Sequence, residues 1–187
     1  MTEKTITLGI PSGGHPRIDF INSLLALMGS GLVHAVMFVP RLPVQQARSR
    51  IASQLSTTHL LFVDDDMVFT PADVEALINA DKDVVSGLYV RRGAVPIPIV
   101  YDLSDGTHRL ISPPTELTQV SGSLAFTLIK KEVIDAVGTD FQFGDGIGED
   151  IDYILRIKQA GFELWLEPKA RIGHVNELPV YPQGATS

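Results

Sequence analysis

Five mostly apolar residues run straight into three consecutive acids in His59-Leu60-Leu61-Phe62-Val63-Asp64-Asp65-Asp66. No other stretch constrains the fold as tightly. A continuous apolar run of this length, with polar borders, reads as a strand buried on both faces. Side chains alternate along a strand, so Asp64 and Asp66 are expected to point one way and Asp65 the other. That gives a D-x-D pair at the carboxyl end of a central strand, where open α/β sheets bind ligands. Three carboxylates there need a cation or open water. A hard divalent metal takes oxygen ligands and keeps positions for water and substrate phosphates. A solvated turn, with aspartates capping the next helix, is the other reading, and the segment alone does not choose.

The flanking segments alternate. Thr5–Ile10 reads as a first strand ending in Pro11-Ser12-Gly13-Gly14-His15-Pro16, a loop of chain breakers. Backbone N–H groups in such a loop can cradle phosphate. It is neither G-x-G-x-x-G nor a Walker loop, so a plain turn stands beside that reading. Ile18, Ile21, Leu24, Leu25 and Met28 predict a helix from Ile18 to Met28 with one apolar face, and Gly29 and Gly31 mark its end. Leu32–Val39 reads as a strand and Val44–Leu55 as a helix carrying Arg48 and Arg50. Thr70-Pro71-Ala72-Asp73 is a helix start, with Thr as cap, Pro first and an acid in the first turn; that helix runs to Ala80. Asp83–Val90 is a fourth strand. The β-α-β-α-β-α-β order implies a parallel sheet covered by helices.

After Arg92 the chain becomes rich in turn residues, with short strands expected at Ile97–Tyr101 and His108–Ile111. Val120–Ile129 reads as a strand interrupted by Ser121-Gly122-Ser123, and Lys130–Val137 as a helix stopped by Gly138. A glycine-rich turn then delivers Glu149 and Asp150 to the start of a helix from Glu149 to Ala160, closed by Gly161. Its expected inner stripe is Ile151, Ile154, Leu155 and the stem of Lys158. Phe162–Leu166 is a strand, and Arg171–Val175 is the last apolar piece.

Composition removes several function classes. The net charge of -7 argues against general adhesion to nucleic acid or to anionic membrane, although a local basic patch can still grip a nucleic-acid substrate. With no cysteine there is no disulfide, thiolate metal site or thiol nucleophile. The N-terminus lacks the basic region and apolar core of a signal peptide. No apolar run approaches the ~20 residues of a membrane helix. A soluble cytoplasmic protein is the expectation.

Four features carry candidate chemistry, each with an ordinary alternative. Asp64 and Asp66 form a metal pair or a turn. Glu149-Asp150 is catalytic or simply favoured at a helix N-terminus by the dipole. His174 is a ligand or a packed histidine. Arg48, Arg50, Arg91 and Arg92 bind anions or are solvated. Their order narrows the choice. Asp64-x-Asp66 after an apolar strand, then Gly148-Glu149-Asp150-x-Asp152 opening a helix, then Gly161 and a strand, then Gly173-His174, resembles the GT-A glycosyltransferases. The likeness runs from about Ile6 to Val175 and is nearest to family-2-like bacterial and phage enzymes, with a local echo of the Gly-Glu-Asp-Asp segment of β-1,4-galactosyltransferases.

That resemblance implies a single GT-A-like, Rossmann-like α/β domain with a mixed, mostly parallel central sheet flanked by helices. Residues 5–90 would form the nucleotide-binding half, 91–175 the acceptor and catalytic half, and 176–187 a tail. It implies that Asp66 ligates Mn²⁺ or Mg²⁺ on the diphosphate of a UDP- or GDP-sugar donor. Asp64 would touch the ribose, or the metal through water, and His174 would match the late metal ligand. Asp150 would be the catalytic base and Glu149 would hold acceptor hydroxyls. Pro11 and Ser12 would lie where the first strand meets the base, and Arg48 where a basic residue meets the diphosphate. Arg91 and Arg92 offer bidentate contacts to acceptor or phosphate. The acceptor stays open among a saccharide, a lipid-linked sugar, a protein and a hydroxylated DNA base. The chain is short for the class and lacks the C-terminal segment that often shapes the acceptor site, so a homo-oligomer or partner can complete it. A nucleotidyltransferase and a non-catalytic nucleotide-sugar-binding module are the rival readings. The first would want a basic glycine-rich loop, whereas Pro11–Pro16 holds no Lys or Arg.

Overall fold

The computed structural model describes residues 4–92, 97–102, 109–144 and 146–175. Asp145 and the 176–187 tail fall outside the described residues, as does most of the turn after Arg92. In chain order the elements are β1 (Ile6–Ser12), α1 (Ile18–Ser30), β2 (Ala35–Pro40), α2 (Val44–Ser53), β3 (His59–Val63), β4 (Met67–Val68), α3 (Pro71–Ala80) and β5 (Val84–Leu88). Then come β6 (Val90–Arg91), β7 (Ile97–Pro98), β8 (Tyr101–Asp102), β9 (Arg109–Leu110), β10 (Phe126–Lys130), α4 (Lys131–Val137), α5 (Glu149–Gln159), β11 (Leu164–Arg171) and β12 (Gly173–His174).

Six strands make one central sheet in the order β11-β5-β10-β3-β1-β2. β1 runs parallel to β2 and β3, and β11 runs parallel to β5. Only β10 is reversed, antiparallel to both β3 and β5. The result is a mixed, mostly parallel, Rossmann-like α/β sheet. β3 lies near its middle and is buried along its whole length, which is why its sequence is continuously apolar. Leu61 and Val63 pack on one face with Phe20 and Leu27 of α1 and Val74 and Leu77 of α3. Leu60 and Phe62 pack on the other with α2, α4 and α5, through Ile51, Val133 and Ile154. α2 lies so close to β1 that a Cβ at Gly9 would meet Ile51 at 2.6 Å.

Several expectations need correction. α1 presents Phe20, Ser23 and Leu27 to the core, while Ile18, Leu25 and Met28 of the predicted stripe are 70%, 65% and 50% exposed. The bulkiest side chain, Phe20, sets the helix's rotation, and the i, i+3 pattern ran along its shoulder. In α5 the stripe is Ile151, Tyr153, Ile154 and Ile157; Leu155 is half-buried and Lys158 is exposed. The strand predicted from Val120 begins only at Phe126, because Ser121 pairs with Tyr101 and Gly122 is tied to Ser86 instead. The expected strand at Ile97–Tyr101 divides, Ile97–Pro98 pairing with β6 and Tyr101–Asp102 with β9. The strand expected at Phe162–Leu166 runs instead from Leu164 to Arg171. The Thr70 cap is as expected: Asp73 accepts from the Thr70 N–H at 2.8 Å, closing a capping box.

Two short elements position the site. The chain turns at the end of β3, where the Met67 N–H donates to the Asp64 carbonyl at 3.2 Å. It then forms β4, which pairs antiparallel with β12, matching Met67 with His174. The Val175 N–H donates to the Asp66 carbonyl at 3.0 Å. A residue 108 positions downstream is thereby fixed beside the aspartate triplet.

Candidate functional site

A cavity of about 200 Å³ opens at the carboxyl end of β3, lined by Asp64, Asp66, Arg91, Arg92, Asp150 and His174 among others. Six sequence-predicted site residues therefore meet in one place. Pro11, Ser12, Arg48 and Glu149 do not line it. A larger cavity of about 380 Å³, bordered by Asp102, Gln119, Lys158 and Glu163, contains none of the predicted residues.

Arg48 sits behind the cavity rather than in it. It rises from α2 with 2% exposure and forks between two carboxylates. One terminal nitrogen donates to Asp64 Oδ1 at 2.8 Å and the other to Glu149 Oε1 at 2.6 Å. Its Nε is buried and meets no hydrogen-bond partner among the described residues. The guanidinium expected to meet a diphosphate is thus spent on protein carboxylates. Glu149, expected to hold acceptor hydroxyls, is buried against Arg48 instead. Burial pushes the Asp64 and Glu149 carboxyls above the usual range, and the Arg48 charge pulls them back. Burial works against the Arg48 cation, but Asp64, Glu149 and Asp150 outweigh it and hold it charged.

Asp66 has a different company. Its Oδ2 lies 3.1 Å from an Arg92 terminal nitrogen and 3.4 Å from His174 Nε2. His174 Nδ1 lies 2.8 Å from the Val90 carbonyl oxygen. A carbonyl only accepts, so Nδ1 carries a hydrogen, and Nε2 is the nitrogen turned toward the carboxylate. A neutral ring would aim a lone pair at an anionic oxygen, an arrangement that asks for a proton or a metal ion between them. Burial opposes a charged ring, yet the Asp66 carboxylate and the Val90 carbonyl raise the His174 pKa. Burial likewise opposes the Asp66 charge, but His174 and Arg92 hold this carboxyl below its usual range.

A ligating histidine typically donates its other ring N–H to a carbonyl or carboxylate, and His174 already does. The Asp66 and His174 side chains fit a divalent cation as a two-ligand set. Among the described residues no three His, Cys, Asp or Glu side chains form a closed ligand group. Two protein ligands suit Mg²⁺ or Mn²⁺ when substrate phosphates and water fill the remaining positions.

Asp150 stands at the first turn of α5, behind the Gly148 cap. Its Oδ2 accepts from Ser123 Oγ at 2.5 Å and its Oδ1 from the Ile151 N–H at 2.8 Å. Asp65 faces away from the cavity: Ser12 Oγ donates to its carboxylate, and the Arg17 N–H donates to its carbonyl at 3.1 Å. That pair ties the end of β1 to the end of β3, so the Ser12 hydroxyl is engaged by Asp65. Pro11 and Ser12 belong to β1 itself, two residues beyond its predicted end. The structure also brings in Tyr89, Tyr101 and Ser123, which line the cavity and which the sequence reading did not single out. The one signal for Ser123 was the Ser-Gly-Ser break in an apolar stretch.

No protein-family model matches the chain, and no curated protein matches it. Among solved structures the chain is similar to A197 from STIV, at 19% identity over 98% of this chain and 100% of that one, with a TM-score of 0.60. At that identity the likeness shows the fold. In all, 229 chains of known structure match, so the fold is widely used and function has to be argued from the site. No helix among the described residues is long and apolar enough to cross a membrane.

Proposed function

We propose that this chain is a cytoplasmic, metal-dependent glycosyltransferase that moves a sugar from a nucleoside-diphosphate sugar to an acceptor hydroxyl. The observation that carries this reading is the meeting of Asp66, His174 and Asp150 around one cavity at the end of the central strand. Asp66 and His174 would hold Mn²⁺ or Mg²⁺. When bound, the metal neutralises charge on the departing nucleoside diphosphate as a Lewis acid. Arg91 and Arg92 border the same cavity and supply fixed positive charge for phosphate or acceptor. Asp150 takes the proton of the acceptor hydroxyl, a poor nucleophile without a positioned base. Asp64 holds its place between the cavity and Arg48, keeping one oxygen on the buried guanidinium. The acceptor class, among saccharide, lipid-linked sugar, protein and hydroxylated base, is left to experiment.

The test is a panel of UDP- and GDP-sugars scored by thermal shift with and without Mn²⁺, followed by calorimetry and product analysis. The expected result is nucleotide-diphosphate binding that needs the metal and is lost in Asp66→Ala, with free nucleoside diphosphate as product. Metal-independent binding that survives Asp66→Ala would sink the proposal. Release of pyrophosphate would identify a nucleotidyltransferase instead.

A further inference from the structure

We propose that Ser123 is a positioning residue for Asp150, holding its carboxylate through a hydroxyl hydrogen bond. The consequence for catalysis rests on the reading of Asp150 as the base; the hydrogen bond itself does not. Ser123 is 9% exposed, and its Oγ donates to Asp150 Oδ2.

The direction of donation follows from the proton count. A carboxylate only accepts, and a serine hydroxyl has one hydrogen. The Ser123 hydrogen is therefore committed to Asp150.

The scaffold around Ser123 is built to hold it. The Ser121 and Tyr101 backbones exchange hydrogen bonds of 3.0 and 2.6 Å. The Gly122 N–H donates to Ser86 Oγ at 3.1 Å, and a Cβ on Gly122 would sit 2.4 Å from that oxygen, so only glycine allows this approach. Thr127 Oγ1 donates to the Ser123 carbonyl at 2.7 Å. The Ser121-Gly122-Ser123 segment before β10 is therefore held in place, and its third residue aims a hydroxyl at Asp150. With the Ile151 N–H on Oδ1, each Asp150 oxygen spends one lone pair on the scaffold and keeps the other for a ligand.

The experiment measures transfer for Ser123→Ala and Ser123→Thr, each in the wild-type and the Asp150→Asn background. Ser123→Ala is expected to lower kcat by about tenfold to a hundredfold, the range for losing a hydrogen bond to a charged group, with Mn²⁺-dependent nucleotide affinity unchanged. Ser123→Thr, which retains the hydroxyl, restores most of the rate. In the Asp150→Asn background Ser123→Ala costs nothing further, because residues acting through one group are not additive. Losses that multiply across the two backgrounds, or nucleotide affinity that falls in step with kcat, overturn the proposal. If the wild-type protein transfers no sugar, the proposed function fails, and the hydrogen bond is read by NMR instead. The Ser123 hydroxyl proton is then expected to resonate downfield and to shift in Asp150→Asn; no shift in Asp150→Asn refutes it.

Discussion

Two acidic clusters flank the same turn, each organised by one arginine, and they differ in access to water. Behind the cavity, Arg48 holds Asp64 and Glu149 with its side chain 3% exposed. In front, Arg92 meets Asp66 with its side chain 50% exposed. The buried cluster joins α2, the end of β3 and the start of α5, and nothing replaces the guanidinium if it leaves. The open cluster has water and, on the proposed reading, a metal ion and phosphates as substitutes. The same residue types thus form a clamp in one setting and an exchangeable neutralising group in the other.

The largest expected effect breaks the clamp. Arg48→Met leaves Asp64 and Glu149 without their cation and should cost roughly 3–5 kcal/mol of stability, as removal of one partner from a buried ion pair does. Arg48→Lys recovers only part, because one ammonium cannot fork to two carboxylates. Urea denaturation followed by circular dichroism measures both. A loss below about 1 kcal/mol, the range of exposed pairs, would mean that water reaches the cluster and the contrast is false.

The open cluster should respond in binding rather than in folding. His174→Gln is expected to lower the urea midpoint only by the modest stability of its pair with Asp66, far less than Arg48→Met does. It should weaken Mn²⁺-dependent nucleotide binding by at least the roughly tenfold to hundredfold that losing a metal ligand's outer-shell partner costs. Calorimetry with and without Mn²⁺ decides this. An equal loss in both conditions would make His174 a packing residue.

The sequence made the buried half legible and left the assembly of the site hidden. The strand running into Asp64, the Thr70 cap and the Gly138 and Gly161 stops are local signals, and each stands where expected. The separation of Asp65 from Asp64 and Asp66 also holds, but a turn produces it, since β3 ends at Val63. Contacts across long separations carry no local signal. β10 enters antiparallel between β3 and β5, β12 docks on β4, and Arg48 reaches Glu149 across 101 residues. A buried arginine reads in sequence like a solvated one, so the inward turn of Arg48 could not be foreseen. The outer stripe of α1 misled for the converse reason, since apolar residues alone do not say which shoulder of a helix is covered.

The smallest effect tests Arg92. As a half-exposed partner it contributes about 0–1 kcal/mol, so Arg92→Ala should move the urea midpoint little. Its electrostatic influence is more telling. In metal-free protein the His174 pKa is raised above 6.5. The stability this contributes is complete below that value and is lost as pH rises through the raised one. The Asp66 pKa is lowered below 3.8, so its contribution is present above that value and is lost only as pH falls through the lowered one. Stability from the pair is therefore complete from about pH 4 to 6.5 and declines on the alkaline side. The Arg92 charge itself pushes the His174 pKa down. Removing it should carry the alkaline decline to higher pH, while Asp66→Asn should flatten the decline. Urea midpoints across this range in a chelator would show it. A decline that moves to lower pH in Arg92→Ala would mean that Arg92 supports the imidazolium instead of competing with it for Asp66.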